Sequence, residues 1–237
     1  MLAISQPTYL PWSGYFDLID RSEKFVFLDD VQFDSRSWQQ RNRIISNKNY
    51  LLLTIPVIKK GKRDQNINEV MIKETNFYDG HLKSIEFNYS KTKYFDDYFN
   101  RIENIYKKIS SNQSLVNLNI ELIKLFSNIL GLKIQFLKSS DLKTKGKRSE
   151  KLINICEFLK YDNYLINPGA LDYLDNDKEI FIDKGINVYL QNYEQKPYTQ
   201  KTDNFLPNAS IIDLIFNEGP NSLSVIRAGQ KKSRKLF

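Results

Sequence analysis

The chain has 237 residues, of which 41% are hydrophobic and 13% aromatic, too apolar for a disordered chain and sufficient for one domain with a sizeable core. Its 35 Lys and Arg against 28 Asp and Glu give a net charge of +7, which favours anionic partners such as nucleotides, phosphates or nucleic acid. With Cys156 as the single cysteine and His81 as the single histidine, an internal disulfide and a zinc centre are excluded, and a reducing, cytoplasmic setting is expected.

Leu2 to Ser5 reads as a short strand, Trp12 to Ile19 as an amphipathic helix rich in aromatics, and Phe25 to Leu28 as a second strand. Leu51 to Val57 reads as a third strand, apolar on both sides and therefore expected inside a sheet covered on both faces, with Pro56 at its end. From Phe77 the spacing turns helical. Ile102, Ile105, Tyr106 and Ile109 share one face, and Leu115, Leu118, Leu122, Leu125 and Ile129 follow the same rule until Gly131. Strands are predicted again at Ile134 to Leu137, Tyr164 to Ile166 and Val188 to Gln191, with a helix at about Ser149 to Leu159, a short helical stretch at Leu171 to Leu174, and a helix over Ile211 to Phe216 capped by Ser210 and ended by Gly219-Pro220. Strands alternating with helices imply an α/β fold with a mostly parallel sheet, the run at about 77–130 being a helical insertion or subdomain of a single domain over residues 1–237. Lys59 to Gln65 and Lys143 to Lys147 read as loops, and Lys231 to Phe237 as a solvated, partly disordered basic tail. No apolar run approaches the roughly 18 to 20 residues needed to span a bilayer, so no membrane span is expected.

Ligands of open α/β sheets bind at the carboxyl ends of strands, and the segment Gln6-Pro7-Thr8-Tyr9-Leu10-Pro11-Trp12-Ser13-Gly14-Tyr15 occupies such a place. Its prolines fix the loop, and Gln6, Trp12 and Tyr15 offer an amide, an indole and a phenol; the alternative is a stiff connector whose aromatics pack in the core. Asp29-Asp30-Val31-Gln32-Phe33 ends the second strand, and Trp38, Arg41, Asn42 and Arg43 follow. Adjacent carboxylates there suit a magnesium ion or a general base, and the arginines a phosphate or carboxylate, whereas the plainer reading of Asp-Asp is a turn or a helix cap. His81 has the side chain suited to proton transfer near neutrality, or is simply structural. Ser139-Ser140-Asp141 follows a strand, and Lys145 to Lys151, with Arg148, precedes a helix, either as an anion site or as a solvated basic turn. Asn167-Pro168-Gly169-Ala170 repeats the strand-to-helix arrangement. Gly-x-Gly-x-x-Gly, Gly-x-Ser-x-Gly and His-Glu-x-x-His are missing, which argues against NAD chemistry, serine hydrolysis and zinc proteolysis.

The order Gln6-Pro7-x-Tyr9-Leu10-Pro11-Trp12-x-Gly14-Tyr15-Phe16, then Asp29 to Phe33, then Arg41-Asn42-Arg43-Ile44 resembles the WbqC-like protein family. The resemblance continues through Thr54 to Val57, His81, Tyr89, Ser139-Ser140, Arg148, Asn167 to Ala170, Tyr173 and Ser210 to Asp213, with Ser5 standing where many members carry a histidine. It implies a role in O-antigen, lipopolysaccharide or related surface-glycan biosynthesis, as an acyltransferase, aminoacyltransferase or ligase that forms an amide on an amino-sugar nucleotide. A non-catalytic protein that holds a sugar nucleotide or a partner enzyme is the rival expectation. ATP with magnesium suits the ligase reading, and an aminoacyl-tRNA donor suits the charge although no nucleic-acid module is recognisable. The opening loop also looks like that of pantothenate synthetase and other nucleotidyltransferase-like folds, with Trp12 and Tyr15 in the places of two histidines, so a Rossmann-like or nucleotidyltransferase-like sheet is expected. In the amide-forming reading Asp29, Asp30 or His81 manages protons. Gln6, Tyr9, Trp12, Tyr15, Gln32, Arg41, Asn42, Arg43, Ser139, Ser140, Arg148 and Asn167 form the substrate site.

Overall fold

The computed structural model describes residues 1–35, 37–74, 76–109, 113–171 and 177–237. In chain order its elements are strand β1 (Leu2–Ser5), helix α1 (Ser13–Asp20), β2 (Lys24–Phe27), β3 (Arg41–Ser46), β4 (Asn49–Thr54), and helices α2 (Phe77–Tyr89), α3 (Phe95–Ile109) and α4 (Leu115–Ile129). There follow β5 (Gln135–Lys138), α5 (Ser139–Leu142), α6 (Arg148–Leu159), β6 (Asn163–Ile166), α7 (Lys178–Asp183), β7 (Asn187–Tyr193), α8 (Ile211–Glu218), α9 (Ser222–Ala228) and β8 (Gln230–Lys235).

Six strands form one sheet in the order β5-β2-β1-β6-β7-β8, with every pairing parallel except the last. This is the mostly parallel, Rossmann-like α/β architecture expected from the alternation of strands and helices. Side chains of a strand alternate between faces, and β1 shows the consequence. Ala3 packs with Phe16, Phe25, Phe126 and Ile215 on one side, while Leu2 and Ile4 join Ile153, Cys156, Phe181 and Val188 on the other. Helices therefore cover both faces. From β1 the chain winds outward through β2 and β5, then returns to place β6 and β7 on the opposite side, so strand order reverses at β1. A crevice outside the carboxyl ends of the strands belongs at such a reversal. Ser5, Phe27 and Lys138 are aligned by register, which delivers the loops after β1, β2 and β5 to one edge.

Two expectations require correction. The apolar run at 51–57 is not an interior strand of the main sheet. It contributes β4, which pairs antiparallel with β3 in a separate two-stranded sheet and leaves Leu51 and Leu52 partly exposed. Asn47 and Lys48 close the hairpin with φ of 47° and 63°, the left-handed pair of a two-residue turn. Nor is the basic terminus a loose tail. Gln230–Lys235 is the edge strand β8, whose exposed polar side chains suit a position with one partner. Arg21 donates to the Lys231 carbonyl at 2.8 Å, and Val188 N donates to the Phe237 carbonyl at 3.0 Å.

The helical region takes its expected form. Leu115, Leu118 and Leu122 of α4 are buried, Ser114 caps that helix by accepting from Asn117 N, and the chain leaves it through Gly131 at φ 74°. Among the described residues no helix is long and apolar enough to cross a membrane. Tyr173, and Leu171 to Leu174 apart from Leu171, lie outside the described residues.

Candidate functional site

At the carboxyl edge, Asp29 and Asp30 leave β2 opposite the start of α5. Ser140 N and Ser139 Oγ donate to Asp29 Oδ1, each at 3.0 Å, and Ser140 Oγ donates to Oδ2 at 2.7 Å. Asp29 thus caps α5 from another strand, and its carboxylate is spent on that task. Asp30 differs. One oxygen meets Ser139 Oγ, and the other lies 2.7 Å from Lys151 Nζ, which also donates to the Thr144 carbonyl at 3.3 Å. The Lys151 side chain is 8% exposed against 20% for Asp30, so the carboxylate is the accessible member of the pair. The sequence offers Lys151 only as the end of the basic stretch Lys145 to Lys151, because one lysine in the first turns of a helix gives no sign that it points inward to Asp30.

Beside this pair begins α6. Lys147 supplies no side-chain cap, Gly146 and Arg148 are left-handed with φ of 93° and 51°, and Lys145, Lys147 and Arg148 are exposed. Uncapped first-turn amides with basic side chains around them form an anion-attracting corner. Within it, Ser149 Oγ and Thr144 Oγ1 are buried with no hydrogen-bond partner among the described residues.

The loop after β1 is tied down behind this edge. The Gln6 carbonyl accepts from Tyr15 OH at 3.0 Å, and Gln6 Oε1 accepts from Gln39 Nε2 at 2.8 Å. Trp12 sits edge-on to Tyr193 and covers Gly14, where any Cβ would lie 2.2 Å from the indole. Tyr9 is fully buried; its hydroxyl bonds to His81 Nδ1 at 2.8 Å and to Tyr106 OH. His81 also meets the Thr54 backbone, and burial pushes its pKa down to about 4. His81 is accordingly a neutral, hydrogen-bonded core histidine. Burial likewise raises the Tyr9 and Tyr15 hydroxyls well above their ordinary values.

The hairpin forms the flank. Asn42 Nδ2 holds the Tyr9 and Leu10 carbonyls at 3.0 and 2.9 Å, so it shapes the loop after β1. Arg43 lies over Tyr50 at 4.4 Å and Trp38 at 5.7 Å, and donates to the Asn208 carbonyl. Arg41 pairs across the hairpin with Thr54. Gln32 is exposed and reaches Asp64 at 3.5 Å, and Asn167 follows β6 at the start of a 3-10 turn at Pro168–Ala170.

The structure therefore gathers Asp29, Asp30, Ser139 and Ser140 into one bonded cluster, with Arg148 at the neighbouring helix start. Tyr9 and His81 form a second cluster behind the loop, and Arg41, Asn42 and Arg43 a third on the hairpin. Asp29 and Asp30 do not present a pair of open carboxylates to a magnesium ion, because helix donors and an ammonium already engage them. Among the described residues no group of three or more His, Cys, Asp or Glu is placed to hold a metal.

The model of the WbqC-like protein family matches residues 6–225. The chain is 33% identical over 227 residues to the uncharacterized protein Rv1507c of Mycobacterium tuberculosis, a match covering 95% of this chain and 97% of that protein. No solved structure matches it.

Proposed function

The chain belongs to the WbqC-like protein family, and on that premise we propose that it is a cytoplasmic enzyme forming an amide on an amino-sugar nucleotide for bacterial surface polysaccharide. The observation that carries this reading is the carboxyl edge where Asp30, backed by Lys151, stands next to the uncapped, basic start of α6.

Lys145, Lys147, Arg148 and the first amides of α6 take the phosphates of the nucleotide. Gln6, Gln32 and Asn167 supply hydrogen bonds to the sugar from the neighbouring strand ends, and Arg41 and Arg43 hold an anionic group of the donor. In the reaction the free amine of the sugar attacks the donor's acyl carbonyl and a C–N bond forms. The donor's leaving group departs with its electron pair, and the proton lost from nitrogen passes to Asp30. Lys151 keeps the Asp30 carboxylate in place and offsets its charge. Asp29 and His81 serve indirectly, the first by fixing α5 and the second by fixing Tyr9.

Thermal unfolding against nucleotide sugars, ATP and acyl or aminoacyl donors tests the substrate class. A ligand at 100 times its dissociation constant should add about 2.7 kcal/mol. Turnover is then followed by mass spectrometry of the amide product. Asp30→Asn should abolish product while the folded protein still binds the nucleotide sugar, and Arg148→Ala should weaken binding. Binding without product under every donor would favour the non-catalytic carrier instead.

A further inference from the structure

A cavity of about 300 Å3 lies between the turn of the β3–β4 hairpin, the end of α2 and the face of α8 that carries Asp213 and Asn217. That is the small end of the range for small-molecule sites and is short of room for a nucleotide sugar. None of its lining residues belongs to the sheet edge.

Its lining is mixed, with Ile45, Phe87 and Tyr89 beside the polar side chains of Asn88, Asp213 and Asn217. The buried Asp213 carboxylate receives Tyr198 OH at 2.7 Å, Gln200 Nε2 at 2.8 Å and the hydroxyl of Tyr89. Three donors leave room for one more among the roughly four lone-pair positions of a carboxylate. Asn88 and Asn217 turn their amide nitrogens back onto helix carbonyls, those of Ser84 at 2.8 Å and Asp213 at 2.7 Å. Each amide keeps its side-chain oxygen, and one N–H, for a ligand. A buried carboxylate with one open lone-pair position, flanked by two amide oxygens, favours a ligand that donates and is cationic at that end. Burial holds the Asp213 pKa above its ordinary value, a penalty that a neighbouring cation relieves.

The mouth carries the opposite sign. Lys48 is paired with Asp203 at 2.6 Å, but Lys201 Nζ contacts the Asn88 carbonyl at 3.5 Å and no carboxylate among the described residues. Partial burial and the nearby Lys91 both act against its charge, so an anion there would be stabilised.

We propose that this cavity binds a small zwitterion of the α-amino acid class, its ammonium toward Asp213 and the oxygens of Asn88 and Asn217, its carboxylate on Lys201. The site is independent of the sheet edge, and its test does not rest on the amide-forming reaction.

Isothermal titration of the full chain with the free amino acids is the experiment. At least one should bind, and the matching amine without a carboxylate and acid without an amine should each lose affinity by about tenfold or more, a change of about 1.4 kcal/mol. Lys201→Met should weaken binding by a similar factor with an unaltered melting temperature. Asp213→Asn is the less secure variant because Asp213 anchors three neighbours, so Asn217→Leu serves as the second probe of the ammonium end. Absence of binding by every amino acid, equal affinity for the deaminated acid, or unchanged affinity in Lys201→Met would each overturn the assignment.

Discussion

Asp29 gives its carboxylate oxygens to the start of α5, whereas the neighbouring Asp30 stays partly open and meets one ammonium. In urea titrations Asp29→Asn should cost about 1–3 kcal/mol, the range for leaving buried donors unmatched. Asp30→Asn strands Lys151 and should cost about 3 kcal/mol, since removing one partner of a largely buried pair leaves the other charge uncompensated. The sequence marks both aspartates equally, because what separates them is a contact with residues more than a hundred positions away. His81 teaches the same lesson. Its ordinary pKa suggests a proton carrier, and only the fold reveals the burial that lowers the value to about 4. Because the folded value lies below the ordinary 6.5, the unfolded chain takes up the proton first. Stability should therefore be complete above pH 6.5 and decline as pH falls toward 4, by up to about 1.4 kcal/mol per pH unit. Asp17 and Asp213, whose pKa values are raised by burial, act in the opposite direction as pH falls, so the His81 contribution is read as the difference between wild type and a variant without the histidine. With a single histidine in the chain, a His81→Phe protein is that variant, and identical pH profiles of the two proteins would contradict the assignment.

At the scale of elements, legibility followed burial. Strands β1, β2 and β6 and helices α1, α4 and α6 have apolar runs or helical spacing strong enough to be found within a residue or two. The hairpin misled because β3 mixes Arg, Asn and Ile and because β4 stays half exposed. Strand β8 was invisible because an edge strand with solvated side chains is spelled like a polar tail. Deleting residues 230–237 should thus lower the melting temperature and promote association through the bared edge of β7, whereas a true tail would be removed without effect. The entry to α1 is equally exacting. Gly14→Ala places a methyl group 2.2 Å from the Trp12 ring, so the indole must move. A loss of about 1–3 kcal/mol is expected. In a Trp38→Phe background, which leaves Trp12 as the only tryptophan, its fluorescence should shift to the red.

For the whole molecule, the reversal of strand order at β1 opens the crevice at which ligands of open α/β sheets bind. Five parallel strand ends face the same way, and the segments after four of them, β1, β2, β5 and β6, carry motifs visible in the sequence. The alternation of strands and helices was enough to locate that edge, but not to show that Lys151 completes it or that a separate cavity opens beneath the hairpin. Hydrogen exchange of the full chain with and without a saturating amino-sugar nucleotide tests the placement of the site most directly. Protection should concentrate in residues 6–12, 29–34 and 139–151, with little change at 45–48, 87–89 and 213–217. Protection confined to the hairpin cavity, or spread evenly over the chain, would contradict a nucleotide-sugar site at the carboxyl edge of the sheet.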